Sequence, residues 1–257
     1  MPPNAKAIWI ASMPRSGSMW AFNVTRELVK AAGCRAVPER IPQDSEAMVS
    51  RAIATIQDPD PLNIAVVKIH DRLRVPPPAS RFIVTHRDLR DALVSWQRFM
   101  QSDFDTALKA MSGGAKVCDH YHGFPADVTL HVKYEDIRDR APEVIRDIGG
   151  FLGLAPSETE VDDIHERFRK KNVANRIMAT VEGIKARRAK GETIAKDEFV
   201  RIGSGNIRTF DVTSGFQSGH VSGYRDGDWR NLLSAEEKSR IRETLGNWLA
   251  RNGYPPE

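Results

Sequence analysis

The chain has 257 residues, with 38 Lys and Arg against 34 Asp and Glu and a formal net charge of +4. That length supports an α/β unit whose core needs no disulfides, and Cys34 and Cys118 are too few for a disulfide framework. The mild positive charge suits a polyanionic small molecule and falls short of what a nucleic-acid polymer requires; with no secretory signal or spanning helix in view, a soluble cytoplasmic protein without a membrane partner is expected. Ile8-Trp9-Ile10-Ala11 reads as a short buried strand, which Pro14 and Gly17 break. Apolar residues then recur at helical spacing from Met19 to Ala32, and Ser16 or Ser18 is expected to cap that helix. A helix that starts where a strand ends offers unpaired N–H groups and a positive dipole end, so Arg15, Ser16, Gly17, Ser18, Met19 and Trp20 form a candidate anion cradle. The stretch lacks the Lys and the first Gly of a Walker A loop.

Ala36 to Pro42 reads as a loop, and Asp44 to Gln57 as a helix capped by Asp44 or Ser45. Asn63 to His70 is a second buried strand with a polar end, and its alternation sets Lys68 and His70 on one side, about 7 Å apart. Both sit at the carboxyl end of a parallel strand, where open α/β sheets bind ligands. Beyond the prolines Pro76 to Pro78, Arg81 to Thr85 forms a third strand; Asp88 then caps a helix with an apolar face of Leu89, Ala92, Leu93 and Trp96. Cys118, His120 and His122 lie at alternate positions with no fourth partner at the usual spacing, so no metal site is expected there. Val128 to Val132 is a fourth strand, leading into Tyr134 and a helix around Pro142 to Leu152. Helical patterns follow at Glu158 to Lys170 and Asn172 to Lys190, with basic clusters that lack interleaved aromatics and read as solvated faces. A closing helix runs from Ser234 to about Arg251.

Pro14-Arg15-Ser16-Gly17-Ser18-Met19-Trp20 resembles the 5′-phosphosulfate loop of sulfotransferases, usually Pro-Lys-Ser-Gly-Thr-Thr-Trp, with Arg15 where the family mostly has Lys. Lys68-Ile69-His70 resembles the family's Lys-Thr-His, and Arg87 and Ser95 reproduce the interval of its 3′-phosphate segment. Val132-Lys133-Tyr134-Glu135-Asp136-Ile137 with Phe151-Leu152-Gly153-Leu154 resembles a further block, and Gly227-Asp228-Trp229-Arg230-Asn231 resembles the Gly-Asp-Trp-Lys-Asn motif. The Arg-Lys-Gly triplet that precedes that last motif in the family is missing, and Arg225 is the nearest cation. The matches follow the family's order.

This resemblance implies an α/β fold: a P-loop-like domain over residues 1–257 whose central parallel sheet of about four to five strands is flanked by helices. It implies transfer of a sulfuryl group from 3′-phosphoadenosine 5′-phosphosulfate (PAPS) to a hydroxyl or amine, with PAP as the product. The acceptor would be a small molecule, a carbohydrate or a natural-product scaffold. In that scheme His70 is the general base, while Arg15, Lys68 and the loop amides neutralise charge on the transferring group. Arg87 and Ser95 hold the 3′-phosphate, Trp20 and Tyr134 flank the adenine, and Arg225 and Gly227 complete the nucleotide site. Residues 155–219, where the likeness fades, are expected to form a lid over the acceptor, and Gln101 to Phe124 to lie near its pocket. The helix after Ser234 lacks the family's dimer pattern, so no oligomeric state is inferred. His86-Arg87-Asp88-Leu89 is similar to a protein-kinase catalytic loop, but Leu93 replaces the metal-binding Asn, and neither a Gly-rich loop nor Asp-Phe-Gly is present. A P-loop-like nucleotide kinase and a nucleotide-binding module without catalysis remain the competing readings.

Overall fold

A computed structural model describes residues 3–254 except 204, 222 and 224; the ends of the expected 1–257 span, with Ser222 and Tyr224, lie outside the described residues. The central sheet consists of five strands: β1 (Ala7–Ala11), β2 (Arg35–Val37), β3 (Asn63–Ile69), β4 (Ser80–His86) and β5 (Thr129–Lys133). All pairings are parallel, in the order β2-β3-β1-β4-β5. Every residue of β1 is buried, as a middle strand covered on both faces must be, which explains its unbroken apolar run.

The helices are α1 (Ser18–Ala31), α2 (Ser45–Gln57), α3 (Leu89–Met100), α4 (Phe104–His122), α5 (Tyr134–Asp139), α6 (Ala141–Phe151), α7 (Glu158–Phe168), α8 (Lys170–Ala189), α9 (Trp229–Leu232) and α10 (Ala235–Arg251). Asp44 caps α2 and Asp88 caps α3, each accepting a backbone N–H from the first turn. The connection after β1 leads to β2 on one side, and that after β4 leads to β5 on the other. The chain therefore changes direction at β1 and β4, and a crevice opens above their carboxyl ends. Register aligns those ends: Ile10 lies beside both Lys68 and Ile83, and Ala11 beside Ile69.

Three expectations change. Ala36 and Val37, read as the start of a loop, belong with Arg35 to an edge strand that pairs with Asn63 to Ala65; three residues are too short to show a period. Neither Ser16 nor Ser18 caps α1: Gly17 occupies the cap with φ 88° and no side-chain hydrogen bond. The Ser16 hydroxyl instead donates to the Met13 carbonyl at 2.7 Å and contacts Thr85 Oγ1 at 2.6 Å, tying the loop to β4. Finally, β6 (Phe199–Ile202) and β7 (Asn206–Thr209) pair antiparallel in an unforeseen hairpin. At its turn Gly203 (φ 50°) lies so close to α3 that a Cβ would stand 2.3 Å from the Met100 carbonyl.

Candidate active site

The loop between β1 and α1 turns left-handed twice, at Arg15 (φ 63°) and at Gly17 (φ 88°). Gly17 is required there, since a Cβ would meet Ile137 Cδ1 at 2.9 Å and Tyr134 Cδ2 at 3.2 Å. Arg15 tolerates its backbone because its side chain is fixed: Nε donates to Ser95 Oγ at 2.9 Å, Nη2 donates to the His220 carbonyl at 3.2 Å, and the guanidinium lies 4.4 Å over the Phe99 ring. With no side-chain cap on α1, the N–H groups of its first turn are left for a ligand.

At the end of β3, Lys68 Nζ donates to His70 Nε2 at 2.9 Å, and His70 Nδ1 lies 2.6 Å from the Ser12 carbonyl. A carbonyl can only accept, so Nδ1 carries the proton and Nε2 presents its lone pair. Burial, with the neighbouring Lys68 charge second, pushes the imidazole down to about 3, and burial alone lowers Lys68 to about 8. The alternation of β3 thus places the unprotonated nitrogen of His70 in hydrogen-bond contact with a cation.

At the start of α3, Arg87 pairs with Asp226 and lies 4.2 Å over the Tyr134 ring. Asp226 also pairs with Arg138 on α5. The Gly227 N–H donates to both carboxylate oxygens of Asp91, at 3.0 and 2.9 Å, fixing the loop before α9 to α3.

Arg15, Lys68, His70, Arg87, Tyr134 and Arg138 wall a cavity of about 860 Å³, a size that holds a nucleotide and more. Of the expected residues, Arg15, Gly17, Ser18, Met19, Trp20, Lys68, His70, Arg87, Ser95 and Tyr134 line it. Three do not: Ser16 is sealed below the loop, Arg225 is exposed with its N–H on Asp228, and Gly227 faces Asp91. From residues 155–219 come the apolar Phe168, Val173, Ile202, Phe210 and Phe216, with His165, Arg169, Lys170 and Gln217 beside them. No residue of Gln101 to Phe124 lines this cavity; Ala110, Gly113, Gly114, Lys116 and Val117 of α4 instead border a smaller one of about 310 Å³ that also touches His70. Cys118 is buried in α4, His120 sits 2.7 Å from the Leu73 carbonyl, and His122 stacks on His131 at 3.9 Å. Among the described residues no group of His, Cys, Asp or Glu is arranged to hold a metal.

Sequence reasoning missed four contributors. His220 is half-buried in the cavity wall, accepts the Gln217 N–H at Nδ1 (3.1 Å) and is held neutral by desolvation and by Arg15, Lys68 and Arg208. Arg208 on β7 lies 4.3 Å over Phe99, on a ring that Arg15 also covers. Arg138 and Asp226 complete the set. Among the described residues, Arg15, Lys68 and Arg208 bond hydroxyl, imidazole and carbonyl groups and no carboxylate, so positive charge is concentrated here without an internal counter-ion. Burial and the charges of Arg87 and Arg208 lower even Arg15 to about 10, with Tyr134 opposing. Such a site is built for a polyanion.

Fold and site together define a nucleotide-dependent group-transfer enzyme. The sulfotransferase domain family matches residues 5–253, and the chain belongs to that family, whose members are PAPS-dependent transferases. Among solved structures, retinol dehydratase in complex with androsterone and the inactive cofactor PAP is 18% identical, with a TM-score of 0.61 over 97% of this chain and 82% of that one. Mouse sulfotransferase SULT7A1 complexed with PAP is 16% identical, with a TM-score of 0.61 over 95% of this chain and 84% of its own. These likenesses establish the fold: an α/β sheet of parallel strands between helices. A sequence comparison with curated proteins finds no match. Family membership sets the kinase reading aside. No helix among the described residues is long and apolar enough to cross a membrane.

Proposed function

We propose that the chain transfers a sulfuryl group from PAPS to a hydroxyl or amine of a small molecule, carbohydrate or natural product, with His70 as general base. The observation that carries this reading is an imidazole locked in one tautomer, its unprotonated Nε2 accepting from Lys68 at 2.9 Å, on the wall of a cation-rich cavity. When bound, PAPS supplies an activated sulfuryl group whose departure leaves negative charge on the nucleotide. Lys68, Arg15 and the first-turn amides of α1 stabilise that charge, as preorganised donors do at developing oxyanions, each worth about 3 kcal/mol of barrier. His70 takes the acceptor proton at Nε2, and the Ser12 carbonyl holds the ring in orientation through Nδ1. Arg87 and Ser95 bind the 3′-phosphate, Trp20 and Tyr134 bound the adenine region, and the loop before Gly227 closes the nucleotide end.

Residues 155–219 act as the lid over the acceptor, which their apolar side chains in the cavity wall support. Residues 1–257 work as one unit, and the buried free thiols of Cys34 and Cys118 fit a reducing, cytoplasmic setting. The test is His70→Ala assayed with labelled PAPS and host-cell extract, followed by mass analysis for a gain of SO₃. Transfer is expected to fall by about 10²- to 10⁴-fold while PAP still raises the melting temperature. Near-normal turnover would remove His70 from the mechanism, and PAP binding without transfer by the wild type would favour a non-catalytic module.

A further inference from the structure

The Asp226 carboxylate bridges two guanidinium groups: Oδ1 accepts from Arg87 Nη2 and Oδ2 from Arg138 Nη1. Both arginines line the large cavity beside Tyr134. The Arg87 side chain is 6% exposed, and its Nε is buried without a hydrogen-bond partner, so one donor of the fork is unused while Asp226 is in place. The carboxylate comes from the same loop that lacks the family's Arg-Lys-Gly triplet, while Arg138 reaches the spot from α5 on the other side.

We propose that Arg138 is a second 3′-phosphate ligand, and that Asp226 holds the place of that phosphate between Arg87 and Arg138 until the nucleotide displaces it. The inference rests on the PAPS-binding reading above. Carboxylate and phosphate present the same paired oxygens to a guanidinium, so a spot that seats one seats the other. A phosphate adds a third oxygen, for which Arg87 Nε is a free donor, and a second negative charge. In the nucleotide-free protein, a buried Arg87 without an anion would be strongly unfavourable, and Asp226 meets that need. A nucleotide without the 3′-phosphate gains nothing from either arginine and leaves Asp226 where it is. The exchange therefore discriminates by phosphorylation at one position.

Isothermal titration of the wild type, R138Q, R138K and D226N with PAP and with 5′-AMP tests this, with melting curves of the free proteins as the folding control. R138Q is expected to weaken PAP about tenfold and to leave 5′-AMP within about twofold, because only a charge-assisted bond to the 3′-phosphate is lost. R138K, which keeps the charge without the fork, falls between. D226N is expected to melt at a lower temperature than the wild type yet bind PAP severalfold more tightly, a combination that a purely structural carboxylate would not give. Unchanged PAP affinity in R138Q and R138K, or weaker PAP binding in D226N, overturns the proposal. If the wild type binds no PAP, the reading of the whole site falls with it; if the wild type binds PAP and R138Q binds it equally well, this inference alone falls.

Discussion

Lys68 and His70 share one half-buried corner, and their lowered pKa values have different consequences. At pH 7 His70 is neutral, as a base must be, while Lys68, lowered to about 8, is still largely charged. Raising the pH through 8 removes the Lys68 proton from the free enzyme, so kcat/KM is expected to decline above that value. The matching limb of kcat should lie higher, because a bound anion favours the charged ammonium. A kcat/KM profile flat from pH 7 to 10 would take Lys68 out of the rate-determining charge balance. Arg87→Ala is expected to lower PAP affinity by about tenfold or more, measured by titration calorimetry, as loss of a charged hydrogen bond in a buried site requires; unchanged affinity would contradict its 3′-phosphate role. Lys68 and His70 were legible because strand alternation alone puts them together. His220, Arg138 and Asp226 were not, for a local reason in each case. Arg138 beside Asp139 reads as a surface ion pair, which it also makes, and nothing in the order of residues shows that its other nitrogen reaches Asp226.

Elements with a long buried run or a strong cap could be read directly. β1 is a continuous apolar stretch, β3 carries one from Ile64 to Val67, and α10 carries the Ser234 and Glu237 capping box. β2, β6 and β7 are three or four residues long and owe their existence to partners, so no period within them announces a strand. α8 was legible as a helix but not by amphipathicity: only Val173, Ile177 and Ile184 of its residues are buried, which leaves a largely polar helix. The seam of α4 against the loop between β1 and α1 shows how close the packing is. A Cβ on Gly114 would stand 2.8 Å from Met13 Cβ and 3.3 Å from Pro14 Cδ, so α4 approaches the chain just before Arg15 only because that position has no side chain. Gly114→Ala is therefore expected to destabilise the fold by about 1–3 kcal/mol through overpacking, despite the better helix propensity of Ala. Urea denaturation would show a lower midpoint at unchanged slope. An equal or higher midpoint would mean that α4 can shift outward freely.

At the level of the whole molecule, charge and burial together make stability depend on pH. His70, His86, His131 and His220 all have imidazoles held below their ordinary 6.5, each mainly by burial. Basic neighbours add to this, Lys68 at His70, and His131 and then Lys133 at His86. In the unfolded chain these groups take up protons near pH 6.5; in the folded protein His70 and His86 do so only near 3 and His131 near 4. Between those limits the unfolded state binds more protons, so stability is full above pH 6.5 and is lost as the pH falls below it. Asp91 works the other way: burial raises it to about 6, so the folded state holds its proton where the unfolded state has released it, and this offsets part of the loss. Glu135, raised by burial as well, adds to that offset, and the four imidazoles against two carboxyls leave the unfolded state with the larger proton uptake between pH 6 and 5, so stability falls as the pH falls there. The melting temperature of the free protein is therefore expected to fall steeply through that interval, and calorimetry in buffers of different ionisation enthalpy should show proton uptake on unfolding. His86→Asn isolates one contribution, because His86 touches Tyr254 and Trp248 and lies outside the cavity wall. That variant is expected to take up about one proton fewer on unfolding at pH 5 and to show a shallower slope. An uptake equal to the wild type would mean that His86 is already protonated in the folded state, which its 4% exposure makes costly without a buried carboxylate in hydrogen-bond contact.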